Sequence, residues 1–181
     1  MNDQIRIERL DGATAARRGL IPEIETIFYV SAARTYPEGP ERDAFRERWL
    51  GRFLSAPLDP LLLALSADGV VAGYLVGTLE NAAESKRFRD MPHFREHFSA
   101  ACQEYPAHLH INLAPQFRGH GIGGRLVDAF AGIVRNAGLP GLHVTTGEGL
   151  RNVGFYLSNG FREIAAWKRE PGTMLFLGRR T

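Results

Sequence analysis

The sequence predicts an α+β fold, an α/β/α sandwich with helices flanking a mixed, mostly antiparallel sheet. Three observations predict it. Strand-like and helix-like stretches follow each other in the order βααββ(α)βαβαββ. The 181 residues show no linker, internal repeat or low-complexity stretch, and suit one domain over 1–181. A glycine-rich turn, Arg118 to Gly124, stands between a strand and an amphipathic helix.

The elements follow in order. Ile5 to Leu10 alternates as a first strand, closed by a turn at Asp11-Gly12. Pro22 suits the first turn of a helix that carries Ile24, Ile27, Phe28 and Ser31 on one face. A second helix begins at Pro40, with Phe45, Trp49, Phe53 and Leu54 inward, and ends at Pro57 and Pro60. Leu61 to Ser66 is a continuous apolar strand, Ala67-Asp68-Gly69 a hairpin turn, and Val70 to Leu79 the returning strand. Residues 81–105 form a polar insertion studded with aromatics, with a helix around Glu84 to Cys102. Phe88, His93, Phe94 and Phe98 there read as packing of that helix or as the roof of a site. Ala107 to Leu113 alternates as a strand. Beyond the glycine turn, Ile122, Leu126, Phe130, Ile133 and Val134 share a helical face, which Gly138 and Pro140 terminate. A strand over Gly141–Thr146, a helix, a strand over Phe161–Lys168, a turn at Glu170-Pro171-Gly172 and a strand over Thr173–Leu177 complete the chain; Arg179-Arg180 reads as a solvated end.

Composition excludes several function classes. The charge is nearly balanced, 22 Lys and Arg against 20 Asp and Glu, which gives no footprint for nucleic acid. The lone cysteine, Cys102, rules out an internal disulfide and has no visible base beside it, so a buried small residue is its simplest role. The N-terminus lacks the apolar core of a signal peptide, and no apolar run approaches the roughly 20 residues that span a membrane. The expectation is a cytoplasmic protein with neither a nucleic acid nor a membrane as partner, present as a monomer or homodimer.

The glycine turn carries the chemistry. Gly119, Gly121, Gly123 and Gly124 leave the backbone uncovered just where a helix begins. The first N–H groups of a helix lack internal partners and sit at its positive end, an arrangement that binds phosphate. Arg118 and Arg125 add positive charge. Gly119, Gly121 and Gly124 also satisfy the G-x-G-x-x-G spacing of dinucleotide folds. That motif would follow the first strand of a parallel unit, with an acid closing the next strand; here it sits late, and the next strand ends Val144-Thr145-Thr146.

The run Arg118-Gly119-His120-Gly121-Ile122-Gly123 resembles the R/Q-x-x-G-x-G/A signature of the GNAT acetyltransferases. Downstream, Phe155-Tyr156-Leu157-Ser158-Asn159-Gly160-Phe161 resembles that family's F-Y-x-x-x-G-F segment. Ala72 to Gly77, followed by the insertion and Tyr105 to Ile111, is similar to a narrower subgroup that includes acetyltransferase-like domains attached to some O-GlcNAc hydrolases. The resemblance implies about seven strands, splayed between the fourth and fifth, with the cofactor entering the gap. It implies acetyl-CoA as cosubstrate. The amides of Arg118, Gly119, His120, Gly121, Ile122, Gly123 and Gly124 would cradle its pyrophosphate. The main chain at Leu113 and Ala114 would hold the pantetheine arm, and an N–H near Leu113 would polarise the thioester.

Tyr156 matches the family's general acid, which would protonate the CoA thiolate. For the base, His108 and His110 lie two apart on one strand and so share a face. Either would take a proton directly or through water; both equally read as packing residues. The family's acid at the start of this strand aligns with Ala107, and Glu80 and Glu148 are further candidates. His108 and His110 suggest no metal pair, because no third ligand is evident. Gly149 stands where the family often has an asparagine, and Asn152 is the residue that would take over its cofactor contact. On the acceptor side, Arg34, Tyr36, Glu80 and Glu84 are the polar candidates, beside the insertion. The implied reaction is acetyl transfer to the primary amine of a small molecule or peptide by direct attack in a ternary complex. A catalytically silent CoA-binding module and a nicotinamide-dependent oxidoreductase are the other readings.

Overall fold

The computed structural model describes residues 5–181. The chain forms two compact units: one holds the chain up to Gly77 with His110–Phe130, the other Thr78–Leu109 with Ala131–Thr181.

The first unit contains β1 (Arg6–Leu10), α1 (Gly12–Arg17), α2 (Ile21–Val30), α3 (Pro40–Arg46), a π-helical turn (Glu47–Gly51), α4 (Arg52–Leu54), β2 (Leu61–Leu65) and nearly all of β3 (Val71–Thr78). β1 pairs antiparallel with β2 from Arg6↔Leu65 to Leu10↔Leu61, and β2 pairs antiparallel with β3. Every residue of β2 and β3 is buried, which explains the continuous apolar run at 61–65. Ile24, Ile27 and Phe28 of α2 are buried as their spacing predicts.

Two local features depart from the sequence reading. Asp11-Gly12 does not simply close β1; it opens α1, with Asp11 as N-cap accepting from the Thr14 N–H at 2.6 Å. Gly12 is there for space, since a Cβ at that position would lie 1.9 Å from the Leu54 carbonyl oxygen. The π-helical turn also rotates the inward face. Leu50 is fully buried and Phe53 is buried, while Phe45, Trp49 and Leu54 are half-buried. A π turn adds a residue to the helical repeat, so 3.6-residue spacing names the wrong neighbour.

The second unit contains a 3-10 turn (Lys86–Phe88), α5 (His93–Glu96), α6 (Ser99–Glu104), the start of β4 (Ala107–Leu113), the end of α7 (Ile122–Asn136), β5 (Gly141–Gly147), α8 (Arg151–Ser158), β6 (Arg162–Arg169) and β7 (Gly172–Arg180). The insertion is therefore three short pieces rather than one helix over Glu84–Cys102. Pro92 cannot donate to a preceding turn, and the chain restarts after it. The breaks let Phe88, Phe94 and Phe98 all point inward, each no more than 1 % exposed. Phe94 meets His108 and His143 edge-on, with ring centroids 5.2 and 5.5 Å apart. These aromatics pack the second unit's core. β7 runs further than the sequence suggests and includes Arg179 and Arg180; Arg180 pairs with Glu104 and lies 4.7 Å over the Tyr105 ring.

The seven strands are ordered β1-β2-β3-β4-β5-β7-β6 in a mixed sheet with flanking helices. β4 and β5 are the parallel pair, with Ala107 opposite Leu142 and His108 opposite His143.

Candidate functional site

The glycine turn lies in the first unit, between β4 and α7. Gly119 and Gly121 have φ of 80° and 74°, a left-handed conformation that favours glycine. A Cβ at Gly119 would meet nothing within 4 Å, so the constraint is the backbone itself and the space beside it is open. The Arg125 N–H donates to the Gly121 carbonyl at 3.2 Å and closes the first turn of α7, so the amides of Ile122, Gly123 and Gly124 stand ahead of the helix's own ladder. Gly119, His120 and Gly121 are exposed, while Ile122 and Gly123 turn into the core. Amides in the first turn of a 15-residue helix sit at its positive end, a place that suits an anion. The residues present fit a pyrophosphate.

The end of β4 is fixed from both sides. The Ala114 N–H donates to the Ala72 carbonyl at 3.0 Å, so this amide is already engaged with β3. The Asn112 carbonyl also faces β3, lying 2.8 Å from where a Cβ on Gly73 would be. Because adjacent residues of a strand point their polar groups to opposite sides, the Leu113 N–H and C=O face away from β3. Of the two residues named from sequence, Leu113 is the one whose N–H is not engaged with β3. Its carbonyl accepts from Arg118 Nε at 3.0 Å, and Arg118 Nη2 donates to Ser31 Oγ at 3.1 Å. Arg125 donates to the Ile5 carbonyl at 2.7 Å. Both arginines of the turn are thus tied to main chain of their own unit.

His110 and His108 have different surroundings. His110 is half-buried and meets Trp49 edge-on at 4.6 Å, with Phe53 at 6.2 Å. Burial, reinforced by the nearby Arg52 charge, pushes its pKa down to about 4. His108 is 1 % exposed and packs against Phe88, Phe94 and His143. The His143 Nδ1–H donates to the Tyr105 carbonyl at 2.5 Å, and burial holds its pKa down at about 3. Beside His110 in sequence, Asn112 Nδ2 donates to the buried Tyr74 hydroxyl at 2.8 Å.

In the second unit, Tyr156 is 6 % exposed and packs edge-on against Phe155 and Phe161. Burial raises its pKa, so it keeps its proton throughout the neutral range. The exposed Asn152 accepts from Thr146 Oγ1 at 2.8 Å, which ties the start of α8 to the end of β5. Gly149 has φ of 75° with nothing within 4 Å of a Cβ, a conformation that asparagine tolerates better than most residues. Cys102 is fully buried and its thiol is pushed up to about 12 by burial, which keeps it protonated and inert.

The acceptor-side candidates fall into two clusters. In the first unit Arg34 pairs with Glu41 and lies 4.5 Å over Tyr36, which stacks on Phe45. In the second, Glu80 accepts from Ser85 and lies 3.7 Å from Arg87, while Glu84 accepts from Gln103. Ser31, Trp49 and Arg52 were not singled out from sequence as site residues. The Ser31 contact joins residues 87 apart, for which local patterning carries no signal. Among the described residues, no group of three or more His, Cys, Asp or Glu could hold a metal ion, and no helix is long and apolar enough to cross a membrane.

Comparison with known proteins agrees with this geometry. The profile of the acetyltransferase (GNAT) family matches residues 21–161. The fold is shared with the crystal structure of SsHAT, at 20% identity and TM-score 0.72 over 98% of each chain. It is shared with yncA from Salmonella typhimurium, whose structure holds its cofactor acetyl-CoA, at 18% identity and TM-score 0.60 over 97% of this chain and 93% of that one. A ribosomal-protein-alanine N-acetyltransferase from Brucella melitensis matches at 20% identity and TM-score 0.63 over 97% and 99%. With a family match over most of its length and the seven-stranded sheet that goes with it, the chain belongs to the GNAT acetyltransferase family, whose chemistry is acetyl transfer from acetyl-CoA.

Proposed function

We propose that the protein is an N-acetyltransferase that moves the acetyl group of acetyl-CoA to the primary amine of a small molecule or peptide. The observation that carries this reading is the glycine turn at the positive end of α7, with Gly119 and Gly121 in the left-handed conformation, next to a β4 end whose Leu113 N–H faces away from β3. The turn suits the pyrophosphate and Leu113 suits the thioester oxygen. In the reaction the amine nitrogen attacks the thioester carbonyl carbon and the carbon–sulfur bond breaks. The departing thiolate takes the Tyr156 proton, and the amine's proton passes to water or to His110. His110 is neutral above about pH 4, so it accepts a proton only weakly and water carries most of the load. His108, packed among aromatics, serves better as support for the strand than as a base. Asn152 is a second contact for the cofactor. Arg34, Tyr36 and Glu80 are the groups offered to the acceptor.

One observation favours a second reading, a silent CoA-binding module. The strand carries Ala107 where an acid would stand, and the nearest histidine is a weak base. Incubation of the protein with acetyl-CoA and a panel of amines, polyamines and short peptides separates the two. Release of free CoA matched by an acetylated amine in the mass spectrum supports the enzyme. Tight acetyl-CoA binding with no acetylated product across the panel supports the silent module.

A further inference from the structure

We infer that Arg118 is a positioning residue, whose Nε–H grips the Leu113 carbonyl and so fixes the strand end that presents the Leu113 N–H to the thioester oxygen. This rests on the proposed function, and gives the arginine at the head of the glycine turn a task other than supplying charge to the phosphates. The peptide unit linking Leu113 and Ala114 is held at both ends: its carbonyl accepts from Arg118 at 3.0 Å and its N–H donates to Ala72 at 3.0 Å. The other arm of the guanidinium is anchored on Ser31 at 3.1 Å, at the C-terminal cap of α2. Two donors of a planar, rigid fork are therefore engaged inside the first unit. Without the grip on its carbonyl, the residue that follows Asn112 is held only through the neighbouring amides, and an oxyanion donor works only when its direction is set beforehand.

The chemistry of the side chain makes the inference specific. Arginine Nε and glutamine Nε2 are both bonded to Cδ, so either residue delivers an N–H to the same place. Lysine keeps the charge but carries its nitrogen one carbon further out. A requirement for an N–H at this distance, rather than for a charge, predicts that arginine and glutamine interchange at the head of the turn, as they do in the motif this segment resembles.

The test is isotope-edited infrared spectroscopy of [1-13C]acetyl-CoA bound to the full-length protein, alongside calorimetric affinity for acetyl-CoA. Wild type is expected to shift the thioester carbonyl to lower frequency. Arg118→Met loses at least half of that shift while its affinity stays within about threefold of wild type. Arg118→Gln retains most of the shift and Arg118→Lys does not. Ser31→Ala, a milder change, gives an intermediate shift and guards against a folding defect in the arginine variants. A wild-type shift that survives in Arg118→Met overturns the inference, as does a full shift in Arg118→Lys with loss in Arg118→Gln. Binding by wild type without any carbonyl shift overturns it while leaving the proposed function standing. Failure of wild type to bind acetyl-CoA removes both.

Discussion

The ring of Tyr156 stands edge-on to that of Phe161, with centroids 5.3 Å apart, and no hydrogen bond to its hydroxyl is found among the described residues. Such a hydroxyl keeps its proton at neutral pH, as the general-acid role proposed for Tyr156 needs. Tyr156→Phe keeps the ring packing and removes the proton. Turnover is expected to fall roughly 100-fold, the scale of a positioned general acid, with acetyl-CoA affinity nearly unchanged. Steady-state kinetics with the best amine of the panel, beside calorimetry, checks it; wild-type turnover takes Tyr156 out of the mechanism.

Gly121→Asp places a carboxylate in the glycine turn. Aspartate tolerates a φ of 74° better than most residues, so the fold is expected to survive. Acetyl-CoA binding is expected to disappear through repulsion of the pyrophosphate. Thermal melting and calorimetry on the same sample check both halves, and an intact affinity moves the cofactor elsewhere.

Acid is expected to destabilise the protein through His110 and His143. An unfolded histidine takes up a proton below about pH 6.5, whereas His110 resists until about 4 and His143 until about 3. Their folded pKa values are depressed, so their contribution is complete above pH 6.5 and drains away as the pH falls toward those values. The loss is up to about 1.4 kcal/mol per pH unit for each histidine. His143→Gln removes one of the two and is expected to flatten the slope, even though losing the stack on Phe176 lowers stability at neutral pH. Urea unfolding at a series of pH values measures the slope in both proteins; equal slopes refute the assignment.

The π-helical turn makes Leu50, not Trp49, the core residue of its helix. Leu50→Ala is expected to cost about 2–5 kcal/mol, as for other buried leucines, and Trp49→Ala less. Denaturant midpoints for the two variants decide the order. The contact of Trp49 with His110 gives the tryptophan a place at the edge of β4 instead.

Much of this molecule was legible from sequence where the signal is local. The strand over Ala107–Leu113 and the glycine turn followed directly from alternation and from glycines placed at a helix start. The failures were equally physical. Gly12 marks a close backbone approach, which looks the same as a turn in one dimension. The π turn has no composition cue. The insertion was read as one helix, but it breaks before α5 at Pro92 and again between Glu96 and Ser99, and Phe88, Phe94 and Phe98 are all buried in the result. At the site, the glycines marked the turn between β4 and α7, but the partners of Arg118 lie on main chain and on a distant serine, and neither contact leaves a mark in the local pattern.

Calorimetric titration of the wild-type protein with acetyl-CoA, with NADH as the control ligand, decides whether the protein takes the cofactor of its family. An acetyltransferase gives saturable one-site binding of acetyl-CoA and no heat with NADH. Absence of acetyl-CoA binding, or binding of NADH in its place, would contradict the proposed function.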